Sequence, residues 1–393
     1  MQKAIVCGSG VAGLSAAIAL ARSAWSVAVF ERSSVVREIG AGIFIKANAL
    51  RVLESFGVLD RIRQDCVVLR EARTLDKTGY ILHRRTLHKA NAVWNIQRQL
   101  LIRALLDRAL VLGARVHTNR AVETASPDGT VRVMGDVHRA DLVIAADGVN
   151  SIVRRSLGLD VPVSASRSGA IRLLVPRTTH EAEDFVRESW SGRLRVGICP
   201  CTRTEVFVYL IAPLDDGLGS RVPIAADYWS SHFPRLASEG IFERAAGAAA
   251  VHHRYPFVGT PSWVKGRVVL AGDAAHALPP TLGQGVGLAL TNVSLLAQYI
   301  SADHDLHSAL AAWQRDWRWI TQRTQIWSRR YDWITSEWPD WAYGLRNAVI
   351  WSLGKSRRFN SYMRIADRVD APRRRVLTVA EIAVPQAGGG PTA

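Results

Sequence analysis

Apolar residues run along this chain in two rhythms. Ala4-Ile5-Val6 and Val27-Ala28-Val29-Phe30 are unbroken apolar runs, and between them Val11 to Ala21 carries apolar residues at helical spacing. Strand, helix and strand in that order predict a βαβ unit with a right-handed crossover. Asn48 to Phe56 predicts a short helix ending at Gly57, and Gln97 to Leu112 a longer one stopped by Gly113. Val116-His117 and Val131-Arg132-Val133 read as short strands, and Leu142 to Ala146 as a buried parallel strand ending at Asp147. From Ala170 to Ala212 the rhythm changes. Ile171–Val175, Leu194–Ile198 and Val206–Leu210 are strands with turn residues between them, a separate and mostly antiparallel sheet. Val268 to Ala271 returns to a buried strand, and a helix follows from Leu288. The pattern therefore predicts an α/β chain whose first domain is discontinuous, over 1–70, 95–165 and 262–300. A β-sheet domain takes 71–94 and 166–261, a helical region 301–380, and a Gly/Pro tail over 381–393 is expected to be disordered.

Composition narrows the class. The 393 residues can bury a large core, and no apolar run reaches the roughly 18 residues of a membrane span. Met1-Gln2 leads straight into a strand, so no secretory signal is expected. Cys7, Cys66, Cys199 and Cys201 are too few and scattered for a disulfide scaffold, and Cys199-Pro200-Cys201 has neither metal nor redox spacing. Free thiols, no metal and a cytoplasmic location are the expectation. The net charge of +16 comes mostly from arginine. No nucleic-acid motif accompanies it, so it reads as a field that draws in anionic cofactors and substrates.

Three motifs carry chemistry. Gly8-Ser9-Gly10-Val11-Ala12-Gly13 lets backbone amides approach a pyrophosphate at a helix N-terminus, and Glu31, about 20 residues on, would accept hydrogen bonds from a ribose. Ala146-Asp147-Gly148-Val149-Asn150-Ser151 lies mid-chain. Gly272-Asp273-Ala274-Ala275-His276 follows a buried strand, which places Asp273 at a strand end facing the crevice, where it could hold a cofactor hydroxyl or cap a helix. Pro279, Pro280 and Gly283-Gln284-Gly285 then open another helix, whose positive end would stabilise negative charge on a reduced ring. The first motif alone says dinucleotide. The three together say FAD in an enzyme that activates oxygen. No second Gly-rich dinucleotide fold follows, so NADH or NADPH would bind transiently over the same flavin.

On these residues the chain resembles the group A, single-component FAD aromatic hydroxylases of the para-hydroxybenzoate hydroxylase fold, over residues 3–375. The resemblance implies a Rossmann-like FAD-binding domain of the glutathione-reductase type, with an inserted substrate sheet and a helical C-terminal region. It implies FAD and NAD(P)H contacts at Asp147 and Gly148, and FAD contacts at Arg98 of Ile96-Gln97-Arg98-Gln99-Leu100 and at Arg37. Ala12, Arg32, Gly42 and Val286 join the cofactor-binding set, and Gly40 to Ile45 resembles the loop along which the flavin swings. Gly169 to Arg177, Cys199-Pro200-Cys201 and Ser220 to Ile224 further resemble the bacterial 2-methyl-3-hydroxypyridine-5-carboxylate oxygenase and 5-pyridoxate dioxygenase branch. Thr291-Asn292-Val293 stands where most of the family has an acidic pair, which that branch also replaces. There the resemblance implies substrate contacts at Arg172 and Arg195, with Phe207 and Phe44 in place of tyrosines and Arg70 near a third.

Arg172 and Arg195 have a physical case too. Each interrupts an apolar strand, and a buried guanidinium needs a partner, which a substrate carboxylate would supply. Strand alternation that turns both outward is the competing reading. The implied reaction is NAD(P)H- and O2-dependent hydroxylation of an anionic hydroxylated aromatic or N-heteroaromatic ring through a flavin C4a-hydroperoxide, with ring opening or decarboxylation left open. No general base is nominated. His276 lies against the Gly-Asp motif; His83, His88, His252 and His253 have no partner legible in the sequence.

Eight of the 13 tryptophans lie C-terminal of position 312. Trp313, Trp317, Ile320, Thr324 and Trp327 recur on one helical face, with Arg315, Arg318, Arg323 and Arg329 largely off it. That predicts a helix packed on the FAD domain; a dimer face, a lid and a membrane-surface helix are the alternatives. Two competing activities follow from this region. One is a membrane-associated flavin reductase of a lipid or quinone. The other is a flavin-dependent halogenase, for which Trp317-Arg318-Trp319-Ile320 and Lys77 are the hooks, although Thr321 replaces the expected proline. A flavoprotein that only binds ligand, as monomer or homodimer, is the remaining class.

Overall fold

The computed structural model describes residues 1–37 and 41–368. Gly40, the end of the predicted helical region from 369 and the predicted tail lie outside the described residues.

The chain opens with β1 (Lys3–Cys7), α1 (Val11–Arg22) and β2 (Ser26–Phe30). β3 (Gly42–Lys46) leads into α2 (Ala47–Ser55). β4 (Val67–Leu69), β5 (Glu71–Asp76), β6 (Ile81–Thr86) and β7 (Val93–Gln97) follow, then α3 (Arg98–Val111) and β8 (Arg115–His117). β9 (Leu142–Ala145) precedes the short α4 (Ile152–Ser156). The middle of the chain supplies β10 (Ser164–Pro176), β11 (Phe185–Ser191), β12 (Leu194–Pro200) and β13 (Glu205–Pro213). After them come α5 (Ala226–His232), α6 (Pro234–Ser238), α7 (Ile241–Ala246) and β14 (Ala250–Phe257). β15 (Val264–Lys265) and β16 (Val268–Leu270) return to the first domain. The C-terminal part is helical: α8 (Asp273–His276), α9 (Gly285–Ala302), α10 (Leu306–Ser336), α11 (Tyr343–Lys355) and α12 (Arg357–Met363).

The first sheet has the order β15-β16-β9-β1-β2-β8 and is parallel except for β15. Its strands read as continuous apolar runs because both faces are covered: α1, α3 and α9 pack together, and Ala125, Val131 and Val133 of a three-stranded antiparallel sheet over 122–139 join the same core. Val6, Val29 and Leu142 to Ala145 are fully buried, and α1 packs against α3 and α9. α9 is long and apolar enough to cross a membrane, yet it lies as a core helix between α1, α2 and α10.

The second sheet has the order β14-β10-β13-β12-β11-β5-β6. Its strands alternate. Ile171, Leu173, Val196, Ile198, Val208 and Leu210 face Trp229, Phe233 and Phe242 of α5 to α7. Arg172, Tyr209 and Gly197 share a register row, as do Ala170, Ile211 and Arg195, and this opposite face lines a cavity against the first domain. Both arginines are thus turned away from the apolar core of the sheet, as alternation requires, but toward a cavity and not toward bulk water. A small sheet, β3-β7-β4, joins the two domains.

α10 spans 31 residues. Asp305 caps it through the Ser308 amide at 3.0 Å. Trp313, Trp317, Ile320 and Thr324 are buried against the FAD-side core, and the Trp313 indole donates to the Asn292 carbonyl at 3.0 Å. The far end of the same helix reaches the second sheet.

Candidate active site

The cradle for a nucleotide is built by close backbone packing. Gly8 has φ of +98°, and a Cβ there would meet the Ala146 carbonyl oxygen at 2.5 Å. A Cβ on Gly13 would stand 1.9 Å from the Gly8 oxygen, so no larger residue lets α1 sit this close. Gly10 caps α1 with no side chain, leaving the first-turn amides open to the cavity, a ready site for phosphate. Glu31 Oε2 accepts from the Ser9 amide at 2.9 Å and its hydroxyl at 2.7 Å, and Oε1 accepts from the Ser33 amide at 2.9 Å. Burial opposes ionisation of Glu31, but the Ser33 and Ser9 donors outweigh it and hold the carboxyl below its usual range. Asp147 Oδ2 accepts from the Val153 amide at 3.1 Å, while its buried Oδ1 has no hydrogen-bond partner among the described residues.

A single cavity of ≈ 680 Å³ begins at Gly10, Val11 and Ala12. It passes Arg98, Gly148, Asp273 and the start of α9 at Gly283, Gly285 and Val286. It ends between the second sheet and the C-terminal helices, with Gly42, Phe44, Arg172, Arg195 and Phe207 in its walls. Most of the residues singled out in the sequence therefore meet in one space. Gly8, Gly13, Glu31, Asp147 and Pro279 support it from behind. Arg32 and Arg37 lie exposed on the loop leaving β2, outside the cavity lining.

One expected substrate contact, Arg70, needs correction, and a second, Arg195, lines the cavity with protein partners of its own. Arg70 is exposed, because Leu69 before it fills an apolar cluster and the β4–β5 junction turns the next side chain out. Arg195 reaches the cavity wall but is only 2% exposed and already partnered. It donates to Thr335 Oγ1 at 3.0 Å and Ser336 Oγ at 3.2 Å, and lies 3.7 Å from the Asp332 carboxylate. Its first task is to tie the end of α10 to the sheet. Burial works against its charge, but Glu188 and Asp332 outweigh burial and keep it firmly protonated.

The sequence reading missed the polar pair on the same face. The Tyr209 ring lies across Gly197, where a Cβ would come within 1.8 Å of it. Its hydroxyl donates to Glu188 Oε2 at 2.5 Å, and the Trp190 indole donates to Oε1 at 2.6 Å. Burial, and then Glu188, push the Tyr209 phenol well above its usual range, so it stays a neutral donor. Burial also lifts Tyr255 and Tyr331 to about 12. His253 falls to about 4 through burial and then Arg172, and His276 falls to about 4 through burial alone. Both are neutral at physiological pH. His276 Nε2 accepts from the Asn292 amide at 3.1 Å, at the place where a carboxylate was expected from the wider family. Phe44 and Phe207 meet edge to face at 6.2 Å and form the apolar part of the wall.

A family model described as an FAD binding domain matches residues 1–305. The chain belongs to the FAD-dependent aromatic monooxygenases. Among solved structures, the tetrameric form of 2-methyl-3-hydroxypyridine-5-carboxylic acid oxygenase is 34% identical with a TM-score of 0.83, covering 94% of this chain and 96% of that one. A probable 2-heptyl-3-hydroxy-4(1H)-quinolone synthase of Rhodococcus erythropolis is 36% identical over 334 residues, 82% of this chain and 86% of the relative. A 2-heptyl-3-hydroxy-4(1H)-quinolone synthase of Mycobacteroides abscessus is 34% identical over 362 residues, 90% and 94% of the two chains. In this monooxygenase the Gly10 end of the cavity would take the FAD pyrophosphate, Glu31 a ribose, and the unpartnered Asp147 oxygen and Asp273 further polar groups of the cofactor.

Proposed function

We propose that the protein uses NADH or NADPH and O2 to hydroxylate an aromatic substrate, most specifically an anionic, hydroxylated N-heteroaromatic ring. The carrying observation is one continuous cavity that joins a dinucleotide cradle to an aromatic chamber walled by Phe44, Phe207 and Tyr209. The relatives support the ring class, since their names specify a hydroxypyridine acid and a hydroxyquinolone.

Bound FAD would supply electron transfer from the nicotinamide and activation of oxygen. The chain's residues supply the setting. The two phenylalanines and Ile211 exclude water from the reacting face. Glu188 orients the Tyr209 hydroxyl, whose free lone pairs can accept from a ring hydroxyl or ring N–H. Arg172, in register with Tyr209, offers a cation to substrate oxygen that becomes negative when the ring hydroxyl ionises. Positioning and charge stabilisation are the protein's share of the work.

The test is oxygen labelling. FAD-loaded protein is given NADH or NADPH under isotopically heavy O2 with hydroxypyridine, 4-quinolone and hydroxybenzoate acids. Substrate-stimulated donor oxidation with one labelled oxygen in the product is expected; a second, unlabelled oxygen taken from water, with loss of the ring absorbance, would mean hydroxylation followed by hydrolytic ring opening. A flavin that neither donor reduces, or peroxide as the sole product with every ring, would overturn the proposal.

A further inference from the structure

α11 is built against the usual pattern of a surface helix. Its buried side holds a cation: Arg346 is 1% exposed, donates to the Thr335 carbonyl at 3.2 Å, and stacks on the rings of Trp190 and Tyr343 at 4.9 and 4.8 Å. Its open side is apolar or small. Gly344, Leu345, Ala348, Trp351, Ser352 and Lys355 are the exposed residues of this helix, and at about 100° per residue they fall within about one third of its circumference. Leu345 is 56% and Trp351 46% exposed, and Trp341, just before the helix, is 85% exposed. A surface helix normally turns its charges outward, and an apolar face left this open marks an interaction site.

Cations frame the face. Lys355 closes α11 with its Nζ 3.3 Å from the Trp351 ring centroid, and Arg358 is exposed on α12, the next helix. From Trp317 to Arg368 the chain has ten arginines and lysines and four acids. Three of those acids are engaged by protein groups: Asp332 lies by Arg195, Glu337 by Arg167, and Asp367 accepts from the Gln284 amide. A second copy of this chain would set like charge against like, at +16 each. A surface that is anionic and also admits tryptophan side chains matches both features, and a bilayer with acidic headgroups is such a surface.

We infer that the outer face of α11, together with Trp341, docks on an anionic lipid surface. The tryptophans and Leu345 enter the headgroup boundary, while Lys355 and Arg358 meet lipid phosphates. Ile350 and Gly354, on the other side of α11, line the cavity. Docking therefore holds the reaction chamber one helix thickness, about 10 Å, from the lipid. The docking stands on the surface alone and is the same for any chemistry in the chamber.

Vesicle flotation tests it. The FAD-loaded full chain is mixed with phosphatidylcholine vesicles that contain or lack phosphatidylglycerol. Binding to the anionic vesicles is expected, weakening as salt rises, with little binding to the neutral ones. Trp341→Ser with Trp351→Ser, and Lys355→Glu with Arg358→Glu, should each weaken it at least about ten-fold, with flavin content and far-UV circular dichroism unchanged. Arg373→Gln, Arg374→Gln and Arg375→Gln together should leave both effects in place. Lipids brominated on the acyl chain should quench tryptophan emission in the wild type and less so in the paired tryptophan variant. Absence of flotation with anionic vesicles overturns the inference. Flotation of the paired tryptophan variant at wild-type strength overturns it as well, since overall charge then accounts for the binding. A concentration-dependent dimer in sedimentation velocity that the same variant abolishes also overturns it, because a second copy then covers the face.

Discussion

At the scale of the residue, the chamber depends on a few side chains whose partners decide their roles. Tyr209 and Glu188 form a buried pair, so Tyr209→Phe should lower kcat/KM about ten-fold, the value of one charge-assisted hydrogen bond, while FAD stays bound. Steady-state kinetics with flavin absorbance check this. Arg195 is the opposite case. Removing it strands Asp332 in the interior, and Arg195→Ala should cost about 3–5 kcal/mol of stability by denaturant unfolding. Burial raises the Asp332 carboxyl above its usual range, and Arg195 holds that rise back. Without the arginine the carboxyl rises further, so the folded variant favours the protonated form. The stability deficit of Arg195→Ala should therefore be smaller at about pH 5 than at about pH 8. A pH-independent deficit would show that Asp332 does not feel the arginine. Arg172→Ala, by contrast, should raise the substrate KM with little change in stability, because Arg172 is only half-buried at the cavity wall.

At the scale of the element, much of the site was legible. Gly8, Gly10 and Gly13 declared a turn that only a strand and helix in contact require, and the structure builds it from β1 and α1. The parity of Arg172 and Arg195 was visible as well, since both interrupt apolar strands. The partner that would claim Arg195 was not visible. It comes from α10, some 140 residues along the chain, and no local pattern announces such a meeting. Glu188 was missed because β11 mixes charged and aromatic residues and lacks the apolar run that betrays a strand. Tyr209 lay inside a strand read correctly, but its partner gives it meaning. The tryptophan stripe shows where periodicity is reliable, because α10 buries Trp313, Trp317, Ile320 and Thr324 as spaced and leaves only Trp327, at the end of the stripe, half-buried. Trp313→Ala should therefore cost about 3–5 kcal/mol, seen as a lower Tm and weaker FAD retention.

At the scale of the whole molecule, the net charge of +16 surrounds a cavity whose walls are themselves cationic. Such a field raises the encounter rate of anionic nucleotides and acids and is screened over about 10 Å at 0.1 M salt. The second-order rate of flavin reduction by NADH or NADPH should fall as salt rises, whereas the reduction rate at saturating donor should not. Stopped-flow reduction under anaerobic conditions separates the two.

α10 also acts as a spar between the two domains, alongside the small sheet whose Asn95 amide donates to the Pro200 carbonyl at 2.9 Å. Its first half is seated in the flavin-side core, and its last turn grips the opposite sheet through Thr335 and Ser336. Inserting one alanine between Gln325 and Asp332 would turn that last turn by about 100° and advance it by about 1.5 Å. The tryptophan seat would stay in place while the grip on the sheet was lost. The breadth of the reaction chamber is thereby governed by helical phase, at a distance from every group that touches the ring.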